Sequence, residues 1–244
     1  MQEYVALTSG HMQFLIRALD GDPGPCRAPN INPLPATFEP GLAREAVAFL
    51  RRTSLSLEPR RQWPTGGLPH MQVSGRIATD RQAQAGRLLC MWGDAGWGSL
   101  VRQGKLHDGV FTGQLVEACA AMVRSWAPQP APGWVTCIPS HRHASLVPDF
   151  ARRLAQALSL PFYPVLKKTD DRPAQKQMKN SSQQARNVDG SLQIQGQVPT
   201  GPVLLVDDMV DSKWTMTVAA YILLSNGSGP VYPLALASTA NADE

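Results

Sequence analysis

No apolar run in the 244-residue chain approaches the ~20 residues that a bilayer span requires, which excludes an ordinary transmembrane helix. Met1-Gln2-Glu3 lacks the basic-then-apolar opening of a secretion signal. Cysteine is sparse: Cys26, Cys90, Cys119 and Cys137 have no paired spacing, so a disulfide framework is excluded and reduced thiols in a cytoplasmic protein are expected. No G-x-x-x-x-G-K-[ST] string occurs, so the chain is expected to carry no P-loop ATPase motor of its own. Charged residues make up only 17% against 43% hydrophobic. That balance excludes global disorder and permits a sizeable core.

Proline and glycine are plentiful, at 21 and 20, which predicts many connections between short elements. The formal charge is +4 and the pI is near 9.0. This mildly favours anionic partners such as phosphates or nucleic acid, without any basic tail.

Tyr4, Leu7, His11, Phe14, Leu15 and Ala18 recur at helical spacing, so residues 3–20 read as an amphipathic helix broken near Ser9-Gly10. Residues 22–33 are loop by composition. Leu42, Ala46, Phe49 and Leu50 mark a short helix over 40–52, and Leu55–Glu58 alternates like a strand. Arg51, Arg52, Arg60 and Arg61 with Trp63 read either as a basic patch for a nucleic-acid backbone or as a solvated arginine-rich surface. Trp92 and Trp97, set among small residues, are expected to pack into core. Leu115, Cys119, Met122 and Trp126 stripe a helix over 113–126, and the proline-rich stretch 127–133 stops it.

Beyond residue 133 strands and helices alternate, the pattern of βαβ units and a mainly parallel sheet. Strands are expected at 134–139, 162–166, 203–206 and 231–237, with a crossover helix over 146–158. A long polar stretch, 167–188, reads as a lid or a disordered segment.

The chain is organised around Val203-Leu204-Leu205-Val206-Asp207-Asp208-Met209-Val210-Asp211-Ser212-Lys213-Trp214-Thr215. Four apolar residues, two carboxylates, a short loop and a helix start place acid groups and backbone N–H groups at the carboxyl end of a sheet. Open α/β sheets bind ligands there, and a helix N-terminus suits a phosphate.

This stretch resembles the ribose-phosphate motif of type I phosphoribosyltransferases. Asp207 and Asp208 match that family's acidic pair, and Ser212 and Thr215 match two of its loop hydroxyls. Asp211 stands where a Thr is usual and Lys213 where a Gly is usual. The resemblance implies that Asp207 and Asp208 are the catalytic acids on the ribose hydroxyls and that Asp211, Ser212, Lys213, Trp214 and Thr215 form the phosphate loop. His141, Arg142 and Lys167 become candidates for the pyrophosphate side, and Mg²⁺ would arrive with phosphoribosyl pyrophosphate rather than on a protein-only metal site. A second motif, Arg172 and Gln175 followed by Arg186 and Asn187, resembles the mobile loop of ComF-type phosphoribosyltransferases, making those four residues lid candidates. The replacements carry a physical consequence. A Lys at a glycine position is expected to obstruct a positive φ. Asp211 near a phosphate repels it by roughly 2–4 kcal/mol per phosphate charge at an effective dielectric near 20. Lys213 could offset that repulsion by binding phosphate, or could close the pocket by pairing with Asp211.

Two further stretches resemble bacterial RecQ-family DNA helicases. Cys26, with Pro29 and Asn32 at the other loop positions and Gly10 or His11 upstream, is similar to their zinc subdomain with most ligands replaced. Zinc wants four N/S ligands, and Cys26 with His11 supplies two, so zinc is not expected. Trp92-Gly93-Asp94-Ala95-Gly96-Trp97-Gly98 is similar to the connector preceding a phosphoribosyltransferase-type portion in some of those proteins.

Taken with the residues, these resemblances imply an α/β fold: a type I phosphoribosyltransferase-like domain over 96–244 with a mainly parallel sheet. It is preceded by a small, mostly helical N-terminal region, made of a degenerate zinc-type segment (1–35) and a connector (36–95). Two functions follow. One is an accessory module in DNA repair or recombination that binds a phosphorylated small molecule, DNA or a helicase chain. The other is an active phosphoribosyltransferase.

Overall fold

The computed structural model describes residues 2–22, 24, 39–52, 54–169 and 181–239. They fall into two compact units, Met1–Glu45 and Ala46–Glu244. In the first, α1 (Gln2–Ala6) and α2 (His11–Ala18) are separated at Gly10, whose φ of 76° lies in the left-handed region that glycine enters without strain. This is the break expected near Ser9-Gly10. His11 packs edge-on against Tyr4 with ring centroids 5.0 Å apart. Cys26, Pro29 and Asn32 lie outside the described residues. The helix α3 (Pro40–Leu50) is capped by the Glu39 carboxylate, which accepts from the N–H groups of Gly41 (3.0 Å) and Leu42 (2.8 Å).

The second unit is an α/β assembly around a five-stranded sheet. Its strands are β1 (Leu55–Leu57), β2 (Gly86–Met91), β3 (Trp134–Cys137), β6 (Val203–Val210) and β7 (Val231–Ser238), in the order β1-β2-β7-β6-β3. Only β1 runs antiparallel; every other pairing is parallel. The sheet therefore draws strands from both sides of residue 96. The strands β6 and β7 carry apolar residues without alternation because both faces of a central parallel strand are covered. Val203 and Leu205 enter a core shared with α8 (Trp214–Ser225), while Leu204 and Val206 enter one shared with α5 (Gly113–Trp126) and α6 (Leu146–Ala157). All four are fully buried, and each such side chain contributes roughly 1.5–3 kcal/mol by leaving water.

Three departures from the sequence reading have physical causes. The strand expected at 162–166 makes only a single parallel bridge, Phe162 to Val135. Pro161 and Pro164 offer no N–H to a ladder. The chain instead pairs β4 (Leu166–Lys168) antiparallel with β5 (Leu192–Ile194) in a separate two-stranded sheet. Second, β6 does not stop at Val206. It stays paired with β7 through Val210, so Asp207 and Asp208 belong to the strand rather than to the loop after it. Third, Trp63 is no nucleic-acid platform: only 7% exposed, it meets Tyr221 edge-on in the core. Trp92 and Trp97 are half-buried against the α5 core.

The end of the polar stretch is anchored. Within it, α7 (Ser181–Val188) leads into Asp189, whose buried carboxylate accepts from the N–H groups of His70 (2.8 Å) and Met71 (3.0 Å). Gly190 follows at φ 72°, where any Cβ would lie 2.6 Å from the His70 ring. Both residues clamp the 69–71 turn. Among the described residues no helix is long and apolar enough to cross a membrane.

Candidate functional site

Strand geometry sends neighbouring side chains to opposite faces, and this divides the acidic pair. Asp207 shares the α8 side of the sheet with Val203 and Leu205, and lines a hollow of about 190 Å³ with Met209, Asp211, Lys213 and Thr215. Asp208 faces the α5 side, is 7% exposed, and pairs with the Lys105 ammonium at 2.5 Å. The sequence reading put both carboxylates on one ribose. In the structure only Asp207 opens onto the hollow.

Nothing in the sequence singles out Lys105. It comes from a π-helical turn, Gly104–Asp108, some hundred residues upstream, and no local spacing connects it to Asp208. Burial raises the Asp207 carboxyl well above its ordinary value, helped by the charge of Asp208, while Lys105 and then Lys168 pull it back. Asp207 also accepts from the backbone N–H of Asp208 at 2.8 Å.

The turn after β6 keeps the backbone of a glycine-type loop without the glycine. Lys213 adopts φ 67°, ψ −4° and forms the N-cap position of α8. A non-glycine residue held there costs of order 1 kcal/mol or more, so the expected obstruction is absorbed as strain rather than as a change of path. The carbonyl of Lys213 accepts from the Thr217 N–H (3.0 Å) and hydroxyl (2.9 Å). From outside the motif, Arg60 braces the turn. Its Nε donates to the Ser212 carbonyl at 2.7 Å, and its guanidinium sits 4.1 Å from the Trp214 ring centroid. Arg60 thus serves the turn, whereas Arg51 and Arg52 line a groove elsewhere.

Asp211 accepts from the Gln184 amide of α7 at 3.3 Å. Among the described residues no ion pair joins Asp211 to Lys213, so Lys213 does not close the hollow by that route. Among the described residues the buried Ser212 hydroxyl has no hydrogen-bond partner. Thr215 and Met216 bring the first turn of α8 to the hollow, and with it the positive end of the helix dipole.

The remaining candidates divide. The backbone N–H of Ile138 donates to the Val206 carbonyl at 2.9 Å, so the loop carrying His141 and Arg142 leaves from the same carboxyl edge. Both are exposed, and neither forms an ion pair with Asp207 or Asp208. Lys167 is exposed, whereas its half-buried neighbour Lys168 is the lysine whose charge acts on Asp207. Arg186 is exposed on α7 and Asn187 half-buried beside it. Arg172 and Gln175 lie outside the described residues. Among the described residues no group of three or more His, Cys, Asp or Glu could hold a metal ion. Cys90, Cys119 and Cys137 are free and buried, and burial pushes the Cys90 and Cys137 thiols up to about 12.

No protein-family model and no curated protein matches the chain. Among solved structures it is similar to an adenine phosphoribosyltransferase, at 15% identity and TM-score 0.37 over 78% of this chain and 89% of the other. It is also similar to the adenine phosphoribosyltransferase of Leishmania tarentolae, at 13% identity and TM-score 0.34 over 52% and 72%. A third is a hypothetical protein from Neisseria gonorrhoeae with bound ppGpp, at 18% identity and TM-score 0.34 over 61% and 71%. At these TM-scores the α/β architecture rests on the strand order and register above.

Proposed function

We propose that this chain is a phosphoribosyltransferase-type binding module whose β6–α8 turn holds the phosphate of a phosphorylated small molecule. The observation that carries this reading is Lys213. It keeps the left-handed backbone of a phosphate loop and lines the hollow that Asp207 and Thr215 share, with no ion pair to Asp211 among the described residues. A dianion there gains the α8 dipole and a nearby lysine charge.

The alternative, turnover of phosphoribosyl pyrophosphate, is favoured by one feature: Asp207 lines the hollow and has no ion pair among the described residues. Its hard oxygens fit a Mg²⁺ delivered with the ligand and held chiefly by the ligand's own oxygens and water. Such an ion would neutralise polyphosphate charge. Against turnover, Asp208 is engaged by Lys105 on the other face, and Asp211 adds negative charge to the phosphate side. The link to RecQ-type helicases, and with it a role in DNA repair or recombination, is carried by the sequence motifs alone.

Calorimetry with ribose 5-phosphate tests the binding reading. Binding that weakens about tenfold in Lys213→Gly, which relieves the strained φ and removes only the side chain, supports it. Absence of binding at millimolar ligand refutes it. Release of pyrophosphate from phosphoribosyl pyrophosphate with Mg²⁺ and any nucleobase, lost in Asp207→Asn, would establish the enzyme instead.

A further inference from the structure

A second cationic site lies on the α5 side of the same unit and shares no lining residue with the β6–α8 hollow. It is an open groove of about 880 Å³ between α5, β2 and the segment before β1. Arg51, Arg52 and Arg87 line it together with Trp97 and Trp126, and no carboxylate does. Among the described residues none of the three arginines takes part in an ion pair, so the groove concentrates positive charge that no described carboxylate pairs with.

Two of the arginines sit over indoles. The Arg51 guanidinium lies 4.4 Å from the Trp97 ring centroid, and that of Arg87 lies 5.6 Å from the Trp126 centroid. The first stack is fixed from both ends. Arg51 Nε donates to the Gly96 carbonyl at 3.3 Å, and Trp97 Nε1 donates to the Arg51 carbonyl at 3.2 Å. On the second, Trp126 is set by an edge-on contact with Tyr232 at 5.6 Å. Planar cations backed by rings are pre-organised, so less rotamer entropy is lost when they bind. The floor is low because α5 presents Ala118, Ala121 and Ser125 there, at spacings that fall on one helix face.

A flat guanidinium offers N–H donors in its plane and a face above it. Phosphate oxygens use the first and nucleobases stack on the second, and this combination in an open basic groove is the chemistry of single-stranded nucleic-acid binding. A duplex shields its base faces and could use only the charge. We infer that this groove binds single-stranded nucleic acid, with the three arginines on the phosphates and bases stacked on the Arg51 and Arg87 planes. The inference does not depend on the phosphate reading of the β6–α8 turn.

Fluorescence anisotropy of labelled twelve-nucleotide oligo(dT) and oligo(U) tests it on the full chain, with a duplex of the same length and inorganic polyphosphate as competitors. Binding of either single strand is expected, and the two arms tell DNA from RNA. Three phosphate contacts give a salt slope near −2, so affinity should fall about 20-fold between about 50 and about 200 mM KCl. The Arg51→Gln/Arg87→Gln variant should bind at least tenfold more weakly, while Lys213→Gly binds like the parent. A melting curve superimposing on the parent's confirms that the double variant folds. If it does not, Arg52→Gln, an exposed site, replaces it with an expected loss of threefold or more. No binding at low salt, full binding by the folded arginine variants, or equal competition by duplex or polyphosphate would overturn the proposal.

Discussion

The β6–α8 turn and the arginine groove both carry cations without an ion pair among the described residues, yet they are built in opposite ways. In the turn the backbone does most of the positioning: a strand held in register through Val210, a left-handed residue and the start of a helix. In the groove the side chains do it, since Arg51 and Arg87 are positioned by Trp97 and Trp126 rather than by a loop path. The contrast teaches where each site is fragile. A backbone-built turn accommodates a lysine in the left-handed region at a modest strain, and it is lost only when its support fails. A site made of side chains on small-residue flooring can be removed one guanidinium at a time without touching the fold.

The largest expected effect tests that difference in support. Lys105→Met leaves the buried Asp208 charge without its partner, a change that costs about 3–5 kcal/mol. The melting midpoint should fall by roughly 10 °C for a unit of this size, whereas Arg87→Gln in the groove should shift it by no more than a degree or two. Equal shifts would erase the contrast. Next in size, Lys213→Gly should weaken ribose 5-phosphate about tenfold (~1.4 kcal/mol) with the melting midpoint unchanged or raised, and the arginine double variant should leave that ligand's affinity alone. Smaller still, Asp211→Asn should tighten ribose 5-phosphate about fivefold, the half-exposed position screening most of the Coulomb repulsion. A weakening would show that Asp211 positions the turn through Gln184 instead.

The smallest effect concerns pH. Because the Asp207 carboxyl is raised above its ordinary value by burial and by Asp208, the native state binds its proton more tightly than the unfolded chain does. That contribution to stability is fully present below the ordinary carboxylate value and is lost as pH rises through the raised one. Asp207→Asn should therefore melt a little higher than the parent near neutral pH, with the gap closing as pH falls toward about 4. A variant that melts lower at neutral pH would mean that the Asp207 charge is stabilised by a partner.

Much of the fold could be read from residues alone. Apolar runs at 203–206 and 231–237 and the stripes on α5 and α6 are strong periodic signals, and the Ser9-Gly10 break follows from glycine's backbone freedom. Where the reading failed, tertiary pairing was responsible. Asp207 to Val210 look like loop because two carboxylates interrupt the run, but β7 continues alongside and keeps them in the ladder. The short β2 is stabilised by lying between β1 and β7, which its own sequence does not announce. In the site, the stretch from Asp207 to Thr215 was visible as a contiguous motif. Lys105, Arg60 and Gln184 were not, because each reaches the site from a distant part of the chain. Asp189 and Gly190 likewise meet a distant part of the chain, the 69–71 turn.

Amide chemical-shift mapping during a titration with ribose 5-phosphate tests the central claim most directly, since it reads both regions in one experiment. The phosphate-turn account predicts that the N–H signals of Ser212 to Met216 move together and saturably while those of Arg51, Arg87 and the Trp97 and Trp126 indoles stay in place. Movement confined to the groove signals, or none at millimolar ligand, would contradict it.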